Sequence, residues 1–162
     1  MHLESVKIAV YNRLPRALQT RAVRLATPNF TVGAIGLLTM TGQELLLVRP
    51  TYRRGWLPPG GFLQRGETPL ECLARELVEE LGAPADLDEP HRVALDVRRQ
   101  GVTFVSVGHL PPGCEPVPQS PEILDVAWFP LDKLPPLPND FHEGIPAEDL
   151  DAVRRAVTQQ ED

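Results

Sequence analysis

Three glutamates stand close together near the middle of the chain, at positions 76, 79 and 80. On a helix, at about 100° per residue, Glu76, Glu79 and Glu80 share one flank, and Glu76 and Glu80 are one turn apart. Like charges at that spacing repel by about 0.2–0.5 kcal/mol on an exposed helix. A solvated acidic face is one interpretation. The other is a divalent-cation site, because Mg²⁺ takes oxygen ligands and commonly bridges carboxylates to substrate phosphates.

The helix that would carry these glutamates has clear boundary signals. Thr68 is a good N-cap, Pro69 suits the first helical position, and Glu71 completes a capping box with Thr68. Gly82 suits the position just past the helix end. We therefore predict a helix over residues 69–81. Its apolar stripe, which should pack on a sheet, consists of Leu70, Leu73, Ala74, Leu77 and Leu81.

The acidic helix is part of a longer pattern of fixed spacings. Gly61 is followed after five residues by Glu67, and seven more residues lead to the segment RELVEELGA, residues 75–83. This pattern resembles the Nudix box, Gly-x5-Glu-x7-Arg-Glu-U-x-Glu-Glu-x-Gly-U, where U is a bulky aliphatic residue. All seven fixed positions match. From average residue usage, a chance match at one given start is on the order of one in 10⁸.

Segments on either side extend the resemblance. The segment WLPPGG, residues 56–61, resembles the family's lead-in ending Pro-Gly-Gly, and residues 122–123 and 128–131 resemble its late strand and the turn after it. The chain departs from the pattern at Pro58, where a hydrophobic residue is often found, and at Ala83, where a larger aliphatic is usual. Neither departure removes a charged group, so the expected metal ligands are retained.

The resemblance implies hydrolysis of a nucleoside diphosphate linked to another group X, with Mg²⁺ or Mn²⁺ as cofactor. Such chemistry requires charge neutralisation, positioning and an activated water. By resemblance, the metal ligands are Glu76, Glu79, Glu80 and the carbonyl of Gly60. Arg75 cannot ligate a cation, and the resemblance implies that it orients a carboxylate, with Glu67 as its ion-pair partner.

The general base is less narrowly defined by the sequence. The general base must reach the attacking water. The resemblance implies that this role belongs either to a glutamate of the box, which is Glu76 or Glu79 here, or to a glutamate from a later loop. Glu122 is the best late candidate and Glu115 is the second. The alternative interpretation of both is an exposed loop glutamate.

The loop before the box contains the candidate substrate-binding residues Tyr52, Arg53, Arg54 and Trp56. Arginine pairs with phosphate, and aromatic rings can stack on a base. Trp56 could equally be a structural anchor, and His109 is interpreted as a structural or surface residue. The motifs associated with the coenzyme A, dinucleoside polyphosphate or NADH branches of the family are not evident, so the sequence selects no particular substrate.

Hydrophobic patterning predicts strands over residues 29–39, 44–49, 91–99, 102–110 and 123–129. The first two should form a hairpin across the turn 40–43. Residues 132–134 should form one helical turn and residues 147–159 a final helix. Mixed strands and helices in this order predict an α/β fold, and the resemblance implies the Nudix-type α/β/α sandwich with a mixed β-sheet.

The 162 residues correspond to one domain. Residues 10–26 predict a basic amphipathic helix, so residues 1–28 are expected to pack on the same domain or form a dimer contact, and residues 29–162 to form the Nudix domain. Attraction of the helix to an anionic lipid or substrate is the alternative. A homodimer is therefore a hypothesis.

Composition limits the partners. The net charge of −6, from 22 acidic and 16 basic residues, disfavours a nucleic-acid footprint and leaves a small nucleotide as the expected partner. The absence of an 18-residue apolar run and of a visible secretory signal argues against membrane insertion and for a cytoplasmic protein. Cys72 and Cys114 match no zinc or redox spacing and are expected to be free thiols.

Two alternative functions remain: a catalytically silent nucleotide sensor and an RNA-end pyrophosphohydrolase.

Overall fold

A computed structural model describes residues 15–138 and 145–158 of the chain. The helices are α1 (Arg16–Ala26), α2 (Pro69–Leu81) and α3 (Ala147–Thr158). The strands are β1 (Thr31–Thr39), β2 (Glu44–Pro50), β3 (Gly60–Phe62), β4 (Asp86–Leu87), β5 (Arg92–Asp96), β6 (Gly101–His109) and β7 (Ile123–Pro130). None of these helices is both long and apolar enough to pass through a lipid bilayer.

The strands form one mixed sheet and one short antiparallel sheet. In the five-stranded sheet the order is β3-β1-β6-β4, with β5 also pairing with β6. Strands β1 and β6 run parallel, and the other pairings are antiparallel. Strands β2 and β7 form the second sheet. The predicted α/β class with a mixed sheet is confirmed.

Two hydrophobic clusters fill the space between the layers. The first joins α2, through Leu73 and Leu77, to Leu38 of β1 and Leu46 of β2. The second joins Leu37, Leu45, Leu47, Val105 and Val107 to Val153 of α3. Successive strand residues point to opposite faces, so β1 and β2 each contribute to both clusters. Helices α2 and α3 therefore cover opposite sides of the strands.

The prediction that β1 and β2 form a hairpin is wrong, because the two strands do not pair with each other. Strand β1 pairs with β3 on one edge and with β6 on the other, so it has no edge left for β2. The turn after β1 instead takes the chain to the second sheet. The Glu44 carboxylate holds this turn by accepting the backbone N–H groups of Met40 and Thr41, each at 2.9 Å.

Other helix and strand boundaries differ from the predicted ones where the sequence contains only weak capping or turn signals. Helix α2 has the predicted limits. Strand β5 ends at Asp96, before the predicted residue 99, because the chain turns back through Gln100, which has a φ of 53°. Residues 132–134 form no helical turn: the N–H of Lys133 donates to the carbonyl of Pro130 at 2.9 Å in an isolated turn. Strands β3 and β4 are two or three residues long and were not predicted.

The amphipathic N-terminal helix is present as α1, over part of the predicted range, and residues 10–14 lie outside the described residues. Leu18 and Leu25 of α1 are exposed. Both cysteines are free thiols, Cys72 buried and Cys114 half-buried.

A charged cluster fastens α3 to β5. Asp149 is buried, and its carboxylate accepts hydrogen bonds from Nε of Arg92 at 2.8 Å and pairs with Nε2 of His91 at 2.9 Å. Burial raises the pKa of Asp149, but the hydrogen bonds from Arg92 and His91 outweigh it and hold the pKa below its ordinary value. The ionised carboxylate thus stabilises the fold.

We expect Asp149→Asn to lower the free energy of unfolding by about 2 kcal/mol at pH 7, because Arg92 loses its partner in a mostly buried pair. The folded-state pKa of Asp149 lies below its unfolded value of about 3.9, so its stabilisation is present above that pH and is lost as the pH falls through the folded pKa. The difference between wild type and variant should shrink below about pH 4. Denaturant unfolding at several pH values measures it.

Asp151→Asn is the matched control, since Asp151 is exposed on the same helix and pairs with Arg154. It should change stability by less than about 0.5 kcal/mol. Equal losses in the two variants would contradict the role assigned to Asp149.

Candidate functional site

Capping interactions set the position of the acidic helix α2. The side chain of Thr68 accepts the N–H of Glu71, and the Glu71 carboxylate accepts the N–H of Thr68 at 2.8 Å, which completes the predicted capping box. Gly82 ends the helix in the left-handed region with a φ of 62°. Both ends of α2 are thus determined by residues adjacent to it in sequence.

Two glycines let β3 lie directly against α2 and β1. A Cβ on Gly61 would lie 2.2 Å from Oε1 of Glu76, and a Cβ on Gly60 would lie 2.1 Å from the carbonyl oxygen of Ala34. Gly60 also has a φ of 148°, which L side chains rarely adopt. Glycine is therefore required at position 61 for the backbone to approach the Glu76 carboxylate, and at position 60 for β3 to lie against β1.

Arg75 organises the acidic side chains around itself. Its Nε donates to Oε1 of Glu67 at 2.7 Å and its Nη2 donates to Oε2 of the same carboxylate at 3.1 Å. Its Nη1 donates to Glu76 at 2.8 Å and to Glu79 at 3.1 Å. The hydrogen bonds from Arg75 lower the pKa of Glu67. The two-pronged pair matches the guanidinium geometry and joins the loop before α2 to the helix.

Glu80 differs from its neighbours because it is buried without a partner. The residue is 6% exposed, and its Oε2 has no hydrogen-bond partner among the described residues. Burial raises the pKa of Glu80 to about 7, with further contributions from the charges of Glu76, Glu122 and Glu79. A buried, unpaired carboxylate is costly, and a hard divalent cation is the ligand that would satisfy both its oxygen and the surrounding negative charge.

The carboxylates are near one another without forming a complete set of ligands. Across residues 15–138 and 145–158, no group of three or more His, Cys, Asp or Glu side chains is arranged to hold a metal ion. Glu76 and Glu79 are engaged by Arg75, while Glu80 is not. The orphaned oxygen of Glu80 and the all-oxygen donor set nevertheless fit a magnesium-type ion.

The proline-rich loop before β7 brings Glu122 to this cluster. The N–H of Gln119 donates to the carbonyl of Glu80 at 2.8 Å, and the N–H of Val117 donates to the carbonyl of Leu81 at 3.2 Å. The carbonyl of Glu122 accepts the N–H of Thr51 at 2.7 Å. The loop is thereby fixed to the end of α2 and to the segment after β2. Glu115, the second late candidate, is not among the charges that act on Glu80.

The candidate substrate-binding residues divide into two groups. Tyr52, Arg53 and Arg54 line one open pocket beside the acidic cluster. Trp56 is half-buried: its ring packs edge-on against Phe129 with centroids 4.9 Å apart and belongs to the second hydrophobic cluster. Its contacts are thus those of an anchor.

Sequence reasoning missed Arg49, which lines the same pocket and lies over the Trp56 ring at 5.7 Å. Its position at the end of the hydrophobic run of β2, just before the basic loop, was the only local signal. His109 is buried at the end of β6, as expected of a structural residue, and its Nε2 has no partner among the described residues.

Together these features define a protein of the α/β sandwich class whose capped helix presents several carboxylates to a glycine-rich strand and an acidic loop. Residues 27–155 match the family model of the NUDIX domain. The chain belongs to the Nudix family.

Comparison with known proteins gives relatives of several named activities. The NAD-capped RNA hydrolase NudC of Pseudomonas aeruginosa is 35% identical over an alignment of 122 residues that covers 68% of this chain and 40% of that protein. The putative 8-oxo-dGTP diphosphatase 2 of Mycobacterium tuberculosis is 39% identical over 99 residues, covering 53% of this chain and 70% of that protein. This chain thus spans less than half the length of the NudC relatives.

Among solved structures, a UDP-X diphosphatase aligns with a TM-score of 0.61 and 24% identity over 92% of this chain and 73% of that one. A Nudix hydrolase from Nitrosomonas europaea aligns with a TM-score of 0.60 and 22% identity, covering 83% and 74% of the two chains. These likenesses confirm the Nudix fold.

A double-mutant cycle on unfolding free energy tests the Arg75 network. The coupling between Arg75 and Glu67 should exceed that between Arg75 and Glu79, because the first pair forms two parallel hydrogen bonds and the second is an i,i+4 pair with an exposed carboxylate. Exposed i,i+4 pairs contribute about 0.3–0.5 kcal/mol.

The cycle uses Arg75→Lys, Glu67→Gln and Glu79→Gln, singly and in pairs, with Arg65→Lys in the loop before α2 as the control. Arg65→Lys should leave stability unchanged. Coupling of Arg75 to Glu79 that equals or exceeds its coupling to Glu67 would contradict this description of the site.

Proposed function

We propose that this chain is a metal-dependent pyrophosphohydrolase that cleaves the diphosphate linkage of a nucleoside diphosphate joined to another group X. The observation that carries the proposal is the buried Glu80 carboxylate with an unpartnered oxygen, set among the charges of Glu76, Glu79 and Glu122. A site of this kind favours a divalent cation and, through it, a polyanionic substrate. The membership of the Nudix family supports the same class of reaction.

In this proposal, each residue of the box has a distinct task. Glu76, Glu79 and Glu80, with the Gly60 carbonyl, hold Mg²⁺ or Mn²⁺, which neutralises diphosphate charge and lowers the pKa of bound water when present. Arg75, held by Glu67, positions the Glu76 carboxylate against β3. The glycines of β3 keep the backbone close enough for the Gly60 carbonyl to contribute.

The reaction adds one water across the P–O–P bridge. The water oxygen bonds to one phosphorus, the bridging P–O bond breaks, and the products are a nucleoside monophosphate and a phosphorylated X. Glu122 is proposed as the general base that accepts the proton of the water. Its support is that the loop anchored by Gln119 and Thr51 brings Glu122 near enough to Glu80 to influence its pKa, whereas Glu115 has no such effect.

Substrate binding is assigned to Tyr52, Arg53 and Arg54, with Trp56 supporting the loop. RNA-end hydrolysis is the second candidate function, favoured by the name of the NudC relatives.

A cytoplasmic location and a homodimer contact through residues 1–28 remain predictions from the sequence.

A substrate panel tests the proposal. Purified protein would be incubated with Mg²⁺ and separately with Mn²⁺, together with nucleoside triphosphates, ADP-ribose, nucleotide sugars, dinucleotides and a capped RNA, and products followed by chromatography. We expect metal-dependent release of a nucleoside monophosphate from at least one diphosphate-linked substrate. Binding without product across the panel would instead identify a sensor.

Glu80→Gln should lower kcat on that substrate by about 10²–10³-fold and weaken Mn²⁺ binding, because a neutral amide replaces the buried charge that faces the cation. Glu89→Gln, at an exposed glutamate outside the box, is the control and should retain activity. Full activity of a folded Glu80→Gln variant would disprove the ligand assignment.

Glu122→Gln should lower kcat by about 10²–10⁴-fold, the usual contribution of a general base, while leaving the Kd for Mn²⁺ within a few-fold of wild type. The matched variant Glu115→Gln removes a charge from the same loop and should change neither quantity. Loss of activity in Glu115→Gln but not in Glu122→Gln would move the base to Glu115. Full activity in both variants would leave a box glutamate as the base.

A further inference from the structure

The open pocket beside the acidic cluster is formed by one continuous segment and one residue of β7. It has a volume of about 530 Å³ and is lined by residues 49–55 together with Leu124. Pockets of about 300–1,000 Å³ accommodate ligands of nucleotide size. The pocket is therefore larger than a single phosphate group and can hold a sugar or nucleoside with its substituents.

The charge of this pocket is opposite to that of the whole chain. Arg49, Arg53 and Arg54 line it, and no acidic side chain does so in the parts of the chain that the structure describes. Arg49 is paired with Asp125 at 3.2 Å, which offsets one of the three positive charges. The chain as a whole carries a net charge of −6. Such a local concentration of guanidinium groups is typical of phosphate recognition.

The basic pocket adjoins the carboxylate cluster directly. Thr51 in the pocket wall donates its N–H to the carbonyl of Glu122 at 2.7 Å. Burial raises the pKa of Tyr52, and the charges of Glu80, Glu122 and Glu76 raise it further. Tyr52 therefore lies between the two regions. A ligand whose diphosphate is held at the carboxylates can extend into the pocket without leaving the surface.

We propose that this pocket receives the X group and that X carries a phosphate of its own, beyond the diphosphate that is cleaved. The inference rests on the proposed function. A neutral sugar offers no charge to the exposed Arg54, and in the proposed function the cation would neutralise the diphosphate at the carboxylate site. Arg54 has no ion-pair partner among the described residues and is positioned to bind the additional phosphate, while Tyr52 and Leu124 offer apolar surface to a sugar or base.

Hydrolysis leaves the additional phosphate untouched. Water still adds across the P–O–P bridge, and X departs carrying both the newly freed phosphate and its own. Two sources of the additional phosphate share this chemistry: a phosphate monoester on a ribose of a small molecule, and the first phosphodiester of an RNA chain.

The experiment compares substrates with and without a phosphate beyond the diphosphate that is cleaved. NAD is compared with NADP, and NAD with an NAD-capped RNA oligonucleotide, all with Mg²⁺ at fixed ionic strength. We expect kcat/KM to be about tenfold higher for the phosphorylated member of at least one pair, since hydrogen bonds between charged groups of this kind contribute that much. A preference for NADP over NAD identifies the monoester, and a preference for the capped RNA alone identifies the phosphodiester.

Variants separate a specific contact from a general effect of charge. Arg54→Ala should reduce the preference to about twofold or less, and Arg54→Lys should restore part of it. Arg154→Ala removes the same charge from an exposed position on α3 and should retain the full preference. Circular dichroism confirms that each variant is folded.

The two ways of failing are distinct. If wild type hydrolyses both members of every pair equally, or if Arg54→Ala lowers both members by the same factor, the inference about X is overturned and the proposed hydrolysis stands. If wild type hydrolyses none of the substrates in this set or in the panel above, the proposed function itself fails.

Discussion

Burial of the Glu80 carboxylate is the constraint on which the candidate site depends. An unpartnered charged oxygen in the protein interior opposes folding, and nearby carboxylates increase that cost. Helix α2 keeps the side chain there because its leucines are fixed in the hydrophobic core on the neighbouring face. Core packing thus supplies the free energy that keeps the Glu80 carboxylate buried. A bound cation would neutralise that carboxylate and stabilise it.

Arg75 offsets the electrostatic repulsion among the other glutamates of the site. It collects Glu67, Glu76 and Glu79 around one guanidinium group, so that Glu80, of these four glutamates, is left without a positive partner. The glycines of β3 complete this arrangement by letting backbone, helix and arginine converge within contact distance. The acidic cluster is therefore organised, with each carboxylate in a different electrostatic environment.

Surfaces of opposite sign meet where the two sheets end. The pairing of β2 with β7 places the basic segment after Arg49 beside the acidic loop before Ile123. A ligand with several separated anionic groups is complementary to such a boundary, because the cation site and the arginines can each take one group. The second sheet, though only two strands wide, thus brings the basic pocket next to the carboxylate cluster.

Helix α2 and the grouping of its glutamates were predictable from the sequence alone because caps, apolar stripe and box residues lie within 23 consecutive positions, from Gly61 to Ala83. The fold class followed from the order of elements and the family resemblance. Tertiary structure decided which strands pair: β1 has both edges occupied by partners distant in sequence, so the expected hairpin does not form. It also decided that Glu122, rather than Glu115, lies near Glu80, and that Arg49 joins the basic pocket. These contacts join segments about 25–75 residues apart, and their geometry arises from strand register and loop anchoring, for which a single sequence carries no local signal.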